Sequence, residues 1–204
     1  MKKLLILIVI MCSLQSVHSQ EVYFSAGKNF TTYDYKNSSG TSNNNLKSGT
    51  GNFFELGIIK PLKNQKLAYS VGLALNEYNS VGGNSASSYT WKTQYLGAQG
   101  GITYCVLDKK DFSILPKFGL NMGTIISGKQ TINGTYYDLT NEKEFSGLLI
   151  TPSLGVQVKY NLSPFGFISL GYSYCKGINL SNSTDQKLSF NTNQLQFGVH
   201  YAIK

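Results

Sequence analysis

Two histidines occur in the chain, His18 in an apolar leader and His200 four residues from the C-terminus. His200 could serve as the base of a Ser–His hydrolase or as a hydrogen-bonded interior histidine. A hydrolase needs a nucleophile and base within hydrogen-bond reach, with a third group orienting the base. No G-x-S-x-G stretch marks a nucleophile elbow. Glu55, Lys117 and Lys159 share the small-residue parity of His200 along alternating stretches. Charges on such an inward face must be paired. Glu55 is therefore expected to meet a lysine or a polar neighbour. The four are read as a structural polar network, not as a catalytic set or an ion path.

Asp138, Glu142 and Glu144 crowd the stretch YDLTNEKE. A calcium site wants 6–8 oxygen ligands, and this stretch is a poor match, so solvated loop charge is expected. Cys105 lies about three residues from a short turn and Cys175 about ten from its own, an offset that predicts free thiols at ~3.3 Å per residue. No C-x-x-C pair, phosphate loop or zinc spacing occurs. No cofactor, metal ligand or catalytic residue is expected. The basic residues are all lysine. Lacking arginine, which favours bidentate phosphate and base contacts, the chain is not expected to bind nucleic acid.

The N-terminus reads as a targeting segment. Lys2 and Lys3 precede the apolar run Leu4–Leu14, and Val17 and Ser19 supply small residues before a cleavage ahead of Gln20. The run is too short for a membrane helix of about 20 residues. Residues 1–19 are expected to be a cleaved signal peptide and 20–204 one domain. Losing Lys2 and Lys3 would take the formal charge from +8 to +6.

Beyond the leader, apolar residues alternate with small or polar ones. Eight strands are predicted, over 21–35, 51–62, 66–80, 89–107, 111–127, 144–162, 165–179 and 187–203. Three connections are short. Four are long and rich in Ser, Asn, Thr and Gly: 36–50, 81–88, 128–143 and 180–186. Short and long alternate, as in an up-and-down meander.

The glycines indicate which face looks inward. Gly57, Gly72, Gly97, Gly119, Gly155, Gly171 and Gly198 all fall on the polar parity. An eight-stranded barrel has an interior only wide enough for side chains, which suits Gly, Ser, Thr, Asn and Gln. A soluble lipid-carrying barrel would reverse this. The alternations reach the 9–11 residues a tilted membrane strand needs, and only a closed barrel pairs every strand backbone group in lipid. Tyr23, Tyr33, Tyr35, Tyr78, Tyr89, Trp91 and Tyr104 lie near strand ends and are read as aromatic girdles.

The leader ending VHSQ, the eight alternating strands and the closing stretch QLQFGVHYAIK, with Phe197 and Tyr201 spaced along it, resemble the small bacterial outer-membrane β-barrels of the OmpX and OmpA-transmembrane type. The chain is especially similar to the PorT-like "outer membrane protein beta-barrel domain" proteins. It departs from them by ending Ile203-Lys204 rather than on an aromatic. The resemblance implies an all-β, eight-stranded antiparallel up-and-down transmembrane barrel in the cell outer membrane.

The expected function is non-enzymatic. Four surface loops would act in adhesion or envelope interaction, or engage a protein partner in an envelope or secretion complex. Outer-membrane lipids and lipopolysaccharide would be its surroundings. The alternatives are an outer-membrane lipid-modifying enzyme and a small diffusion channel, the latter disfavoured by a filled lumen.

Overall fold

In the computed structural model, Leu154, Val156 and Val158 stand on the outer wall of a closed barrel, Leu154 at 66% exposure. The structure describes residues 20–36, 46–63, 65–84, 87–180 and 187–203. The expected signal peptide, 1–19, lies outside them.

The elements are β1 (Gln20–Lys36), β2 (Leu46–Pro61), β3 (Leu67–Asn84), β4 (Ser87–Tyr104), β5 (Leu107–Asp108), β6 (Phe112–Ile132), β7 (Thr135–Asp138), β8 (Leu149–Asn161), β9 (Gly166–Asn179) and β10 (Lys187–Ile203). Eight long strands pair antiparallel in sequence order, with β4 meeting β6 and β10 meeting β1 to close the ring. Followed once round, paired residues run Glu21, Ile59, Ser70, Gly101, Gly119, Ser153, Cys175, Thr192 and back to β1 at Thr31. The path returns ten residues further along β1, from Glu21 to Thr31. That stagger obliges the strands to tilt.

Within the ring the expected orientation holds. Tyr69, Val71 and Leu73 face out on β3, while Ser70 and Ala74 are buried inside. On β8 the outward apolar row runs from Ile150 to Tyr160. Those ten steps span about 33 Å along the strand, or about 25 Å of membrane thickness at a tilt near 40°. Tyr69, Tyr104, Tyr160 and Tyr201 face outward at the short-turn ends of their strands, the periplasmic end in barrels of this kind. They make the inner aromatic girdle.

The strands run longer than expected on one side. β2 begins at Leu46, β3 and β4 reach Asn84 and Ser87, and β6 continues to Ile132 before a hairpin into β7. Within the stretches expected as loops, the described residues 36, 46–50, 81–84, 87–88, 128–132 and 135–138 are therefore strand. The sequence between strands here is polar, which reads as loop, yet it forms strands that stand above the membrane. β8 starts at Leu149, not near 144, because residues 139–148 turn across the outer end instead.

In these taller strands the pattern inverts. On β3, Leu75 faces out and Asn76 in; two residues on, Glu77 faces out and Tyr78 is buried inside. On β10, Leu195 faces out, then Asn193 and Asn191, while Phe190 and Leu188 turn in. The outer solvent has changed from hydrocarbon to water, so the apolar face changes sides without a change of strand. Two β-bulges, between Ser48 and Phe53 and between Gln94 and Tyr95, fall in this zone, as bulges at barrel rims do.

Candidate functional site

Three layers fill the barrel. At the periplasmic mouth, β1, β8, β9 and β10 bring together Glu21, Lys159, Ser169 and His200. Lys159 pairs with one oxygen of Glu21. His200 Nδ1 lies 2.6 Å from the other, and His200 Nε2 lies 2.7 Å from Ser169 Oγ. Gln157 Nε2 donates to the same Ser169 oxygen at 2.8 Å. The Lys159 ammonium also sits 4.1 Å above the Phe167 ring. A mouth cavity of about 460 Å³ opens beside Glu21, Lys159 and His200.

The middle layer holds Glu55, which accepts a hydrogen bond from the Tyr23 hydroxyl and lies 3.7 Å from the Lys117 ammonium. Gly57 makes room for that tyrosine: a Cβ there would stand 2.8 Å from the Tyr23 hydroxyl. Above, Gln194 Nε2 donates to Asn29 Oδ1 at 2.8 Å, and the Thr31 and Thr192 hydroxyls meet at 2.8 Å. The void beside Glu55 and Lys117 is about 20 Å³, room for about one water.

The outer layer is aromatic. Phe190 packs 4.3 Å from Tyr78 and 5.2 Å from Tyr33, and Trp91 meets Phe145 edge-on at 5.5 Å. Leu139 and Phe145, from the segment crossing the end, and Leu149, at the start of β8, complete this buried cluster. It caps the lumen above the apolar band.

Of the four residues expected to share an interior network, Glu55 and Lys117 meet each other. Lys159 and His200 converge instead on Glu21, which the sequence reading left out. Glu21 shares the inward parity of Tyr23 and Ser25, and that was the available signal. The girdle reading needs correction for Tyr23, Tyr33, Tyr78, Tyr89 and Trp91, which face inward. Tyr23 serves the polar lumen, and the others sit where water outside has made the interior the apolar side. Tyr104 does face out. The side chain of Tyr35 lies outside those described.

Ser169, His200 and Glu21 stand in the hydrogen-bond order of an acyl-transfer triad. Their setting does not suit a lipid substrate. Ser169 is 3% exposed and His200 2%, both face the lumen, and the mouth cavity touches His200 but not Ser169. Lipid acyl chains would lie on the opposite side of the wall. With both ring nitrogens partnered, His200 is a satisfied interior histidine.

Outside, a polar row crosses the wall at the upper edge of the apolar band. Lys28 Nζ donates to Asn52 Oδ1 at 2.7 Å, Asn52 Nδ2 to Glu77 Oε2 at 2.9 Å and Gln94 Nε2 to Glu77 Oε1 at 2.7 Å. Above it the β6–β7 hairpin turns through Asn133 and Gly134, at φ 48° and 86°, the Asn-Gly pair favoured in two-residue turns. Tyr136 and Tyr137 on β7 are 74% and 51% exposed. Asp138 accepts from the Thr140 amide and hydroxyl at 2.8 and 2.7 Å, which holds its carboxyl below the usual aspartate range.

Among solved structures, the chain is similar to the Neisserial surface protein NspA, with 15% identity, 88% of this chain and 96% of that one covered, and a TM-score of 0.47. It is also similar to Ail, the attachment invasion locus protein of Yersinia pestis, at 14% identity, 90% and 99% coverage and 0.42. The outer-membrane protease OmpT of Escherichia coli matches at 8% identity, 92% and 98% coverage and 0.47. No curated protein sequence matches the chain. Residues 4–202 match the family described as "Outer membrane protein beta-barrel domain". With that match over nearly its whole length and an eight-stranded antiparallel ring banded for lipid, the chain belongs to this family of outer-membrane β-barrels and resides in the outer membrane of a Gram-negative bacterium.

Proposed function

We propose that this protein is a non-enzymatic, non-conducting barrel that presents its outer rim for adhesion or envelope contact, including as a partner in an envelope or secretion complex. One observation carries the reading: the lumen is filled by the Glu55–Lys117 layer and capped by the Tyr33–Tyr78–Phe190 cluster. A lumen so packed offers no aqueous path, so the work of the molecule falls to the raised rim. There the β6–β7 hairpin holds two tyrosine rings out in water, a display that stability does not require.

The test has two arms. Purified protein in planar bilayers should give no conductance steps. Cells carrying Tyr136→Ser/Tyr137→Ser, with the barrel inserted at the normal level, should lose attachment to host-cell monolayers or to sister cells. Steady conductance, or attachment unchanged by the double substitution and by deletion of the whole protein, would remove the reading.

A further inference from the structure

At the outer rim, β4, the β6–β7 hairpin and the segment after β7 border an open cavity of about 490 Å³, within the range of small-molecule sites. Tyr89, Trp91, Tyr137 and Phe145 give it aromatic walls, and Glu142 and Glu144 stand among its lining with Asp138. We propose that this cavity binds a small organic cation with an apolar body, of the quaternary ammonium class. The inference rests on the rim being the recognition surface.

The chemistry of the walls selects the ligand. Aromatic faces carry a negative quadrupole and attract cations, best when the cation is weakly hydrated. Three carboxylates line the cavity and no lysine does, in a chain whose formal charge is +8. The local sign is thus opposite to that of the molecule. A bare metal ion is a poor fit. Among the described residues no group of three or more acidic, histidine or cysteine side chains is placed to hold a metal. The carboxylates are distributed around a space large enough for several carbon atoms. Thr140 holds one oxygen of Asp138 and keeps that carboxylate ionised, and Glu142 and Glu144 add two further counter-charges.

The cavity is also built in advance. The Leu139 amide donates to the Gly128 carbonyl at 3.0 Å, and the Phe145 and Ser146 amides donate to the Glu142 carbonyl at 3.0 and 2.8 Å. The Tyr95 hydroxyl donates to the Phe145 carbonyl at 3.2 Å, and Asn179 Nδ2 to that of Glu144 at 2.9 Å. A ligand would therefore meet walls already held in place, and little ordering entropy opposes binding.

The chain has a single tryptophan, and it lines this cavity, so its fluorescence reports occupancy directly. The full-length chain, folded in detergent micelles, is titrated with choline, with its uncharged isostere 3,3-dimethylbutan-1-ol, and with calcium chloride. Choline should change Trp91 emission saturably, with the alcohol at least about tenfold weaker. Glu142→Gln/Glu144→Gln should weaken choline about five- to tenfold. Tyr137→Ala, at a position outside the packed aromatic cluster, should weaken it about threefold or more. No saturable response to choline, an equal response to the alcohol, or saturation by calcium alone would overturn the proposal. Loss of cell attachment in the rim variants without a choline response would sink this inference and leave the surface role standing.

Discussion

Glu77 and Tyr78 are consecutive on β3 and point to opposite sides of the wall, the carboxylate out and the ring in. Six residues earlier the order is reversed, with Val71 out at 52% exposure and Gly72 inside. The strand is continuous between them and keeps its pairing with β4. Its surroundings alone differ, which places the outer edge of the hydrocarbon between Leu75 and Glu77.

That boundary can be measured. Val71→Lys puts a charge near mid-band and should destabilise the barrel by about 2–4 kcal/mol, whereas Val81→Lys, above the boundary on the same outer face, should cost about 0–1 kcal/mol. Urea titrations of the protein folded into phosphatidylcholine vesicles give both values. Equal costs would mean that the apolar band does not end where the pattern inverts.

The barrel was legible in the sequence because a period of two survives any registry within a strand. Leu154, Val156 and Val158 announce their side by alternation alone, and the glycines opposite them announce the lumen. The height at which lipid gives way to water was not legible by the same logic. Tyr33, Tyr78 and Trp91 are aromatic residues near strand ends, and an outward girdle and an inward cap produce the same composition. Only their parity separates the two, and parity had to be read against Glu77, Lys92 and Asn191 on the opposite face. The Asn133–Gly134 turn was available as a hairpin signal, but the polar run around it reads as loop. Glu21 was missed because it stands at the start of the first strand, where an inward charge resembles an ordinary solvated end.

The Glu55–Lys117 layer carries a second expectation. Glu55→Gln leaves the Lys117 ammonium without its counter-charge inside the wall, and Lys117→Met leaves the carboxylate with the Tyr23 hydroxyl alone. Each single change should cost roughly 3 kcal/mol. Glu55→Gln combined with Lys117→Met should recover most of the loss, because neither charge then remains buried. The same urea titration reads all three. A double variant as unstable as the sum of the singles would show that the two residues act independently.

The cap above the membrane is held by ordinary core packing, unlike the wall below it. Phe190 is 2% exposed and lies against Tyr78 and Tyr33, so Phe190→Ala should cost about 3–5 kcal/mol. Tyr201→Ala removes an equally large ring from the lipid-facing surface and should cost well under half as much. If the two substitutions destabilise equally, the cap contributes no core.

The Ser169–His200–Glu21 arrangement gives the non-enzymatic reading a direct test. The order of hydrogen bonds is that of a nucleophile, a base and an orienting carboxylate, so the distances alone do not exclude acyl transfer. The proposed non-enzymatic reading rests on access: Ser169 is 3% exposed and does not line the mouth cavity. The serine lies behind Gln157 and His200, and its oxygen already accepts the Gln157 amide at 2.8 Å. A fluorophosphonate probe should therefore leave the folded barrel unlabelled, and Ser169→Ala should affect stability only, by about 1–3 kcal/mol as polar partners are left unsatisfied. Labelling of the folded protein that disappears in Ser169→Ala would mean that the periplasmic mouth admits an electrophile to a working nucleophile. The lumen would then have to be assigned a chemistry as well as a scaffold.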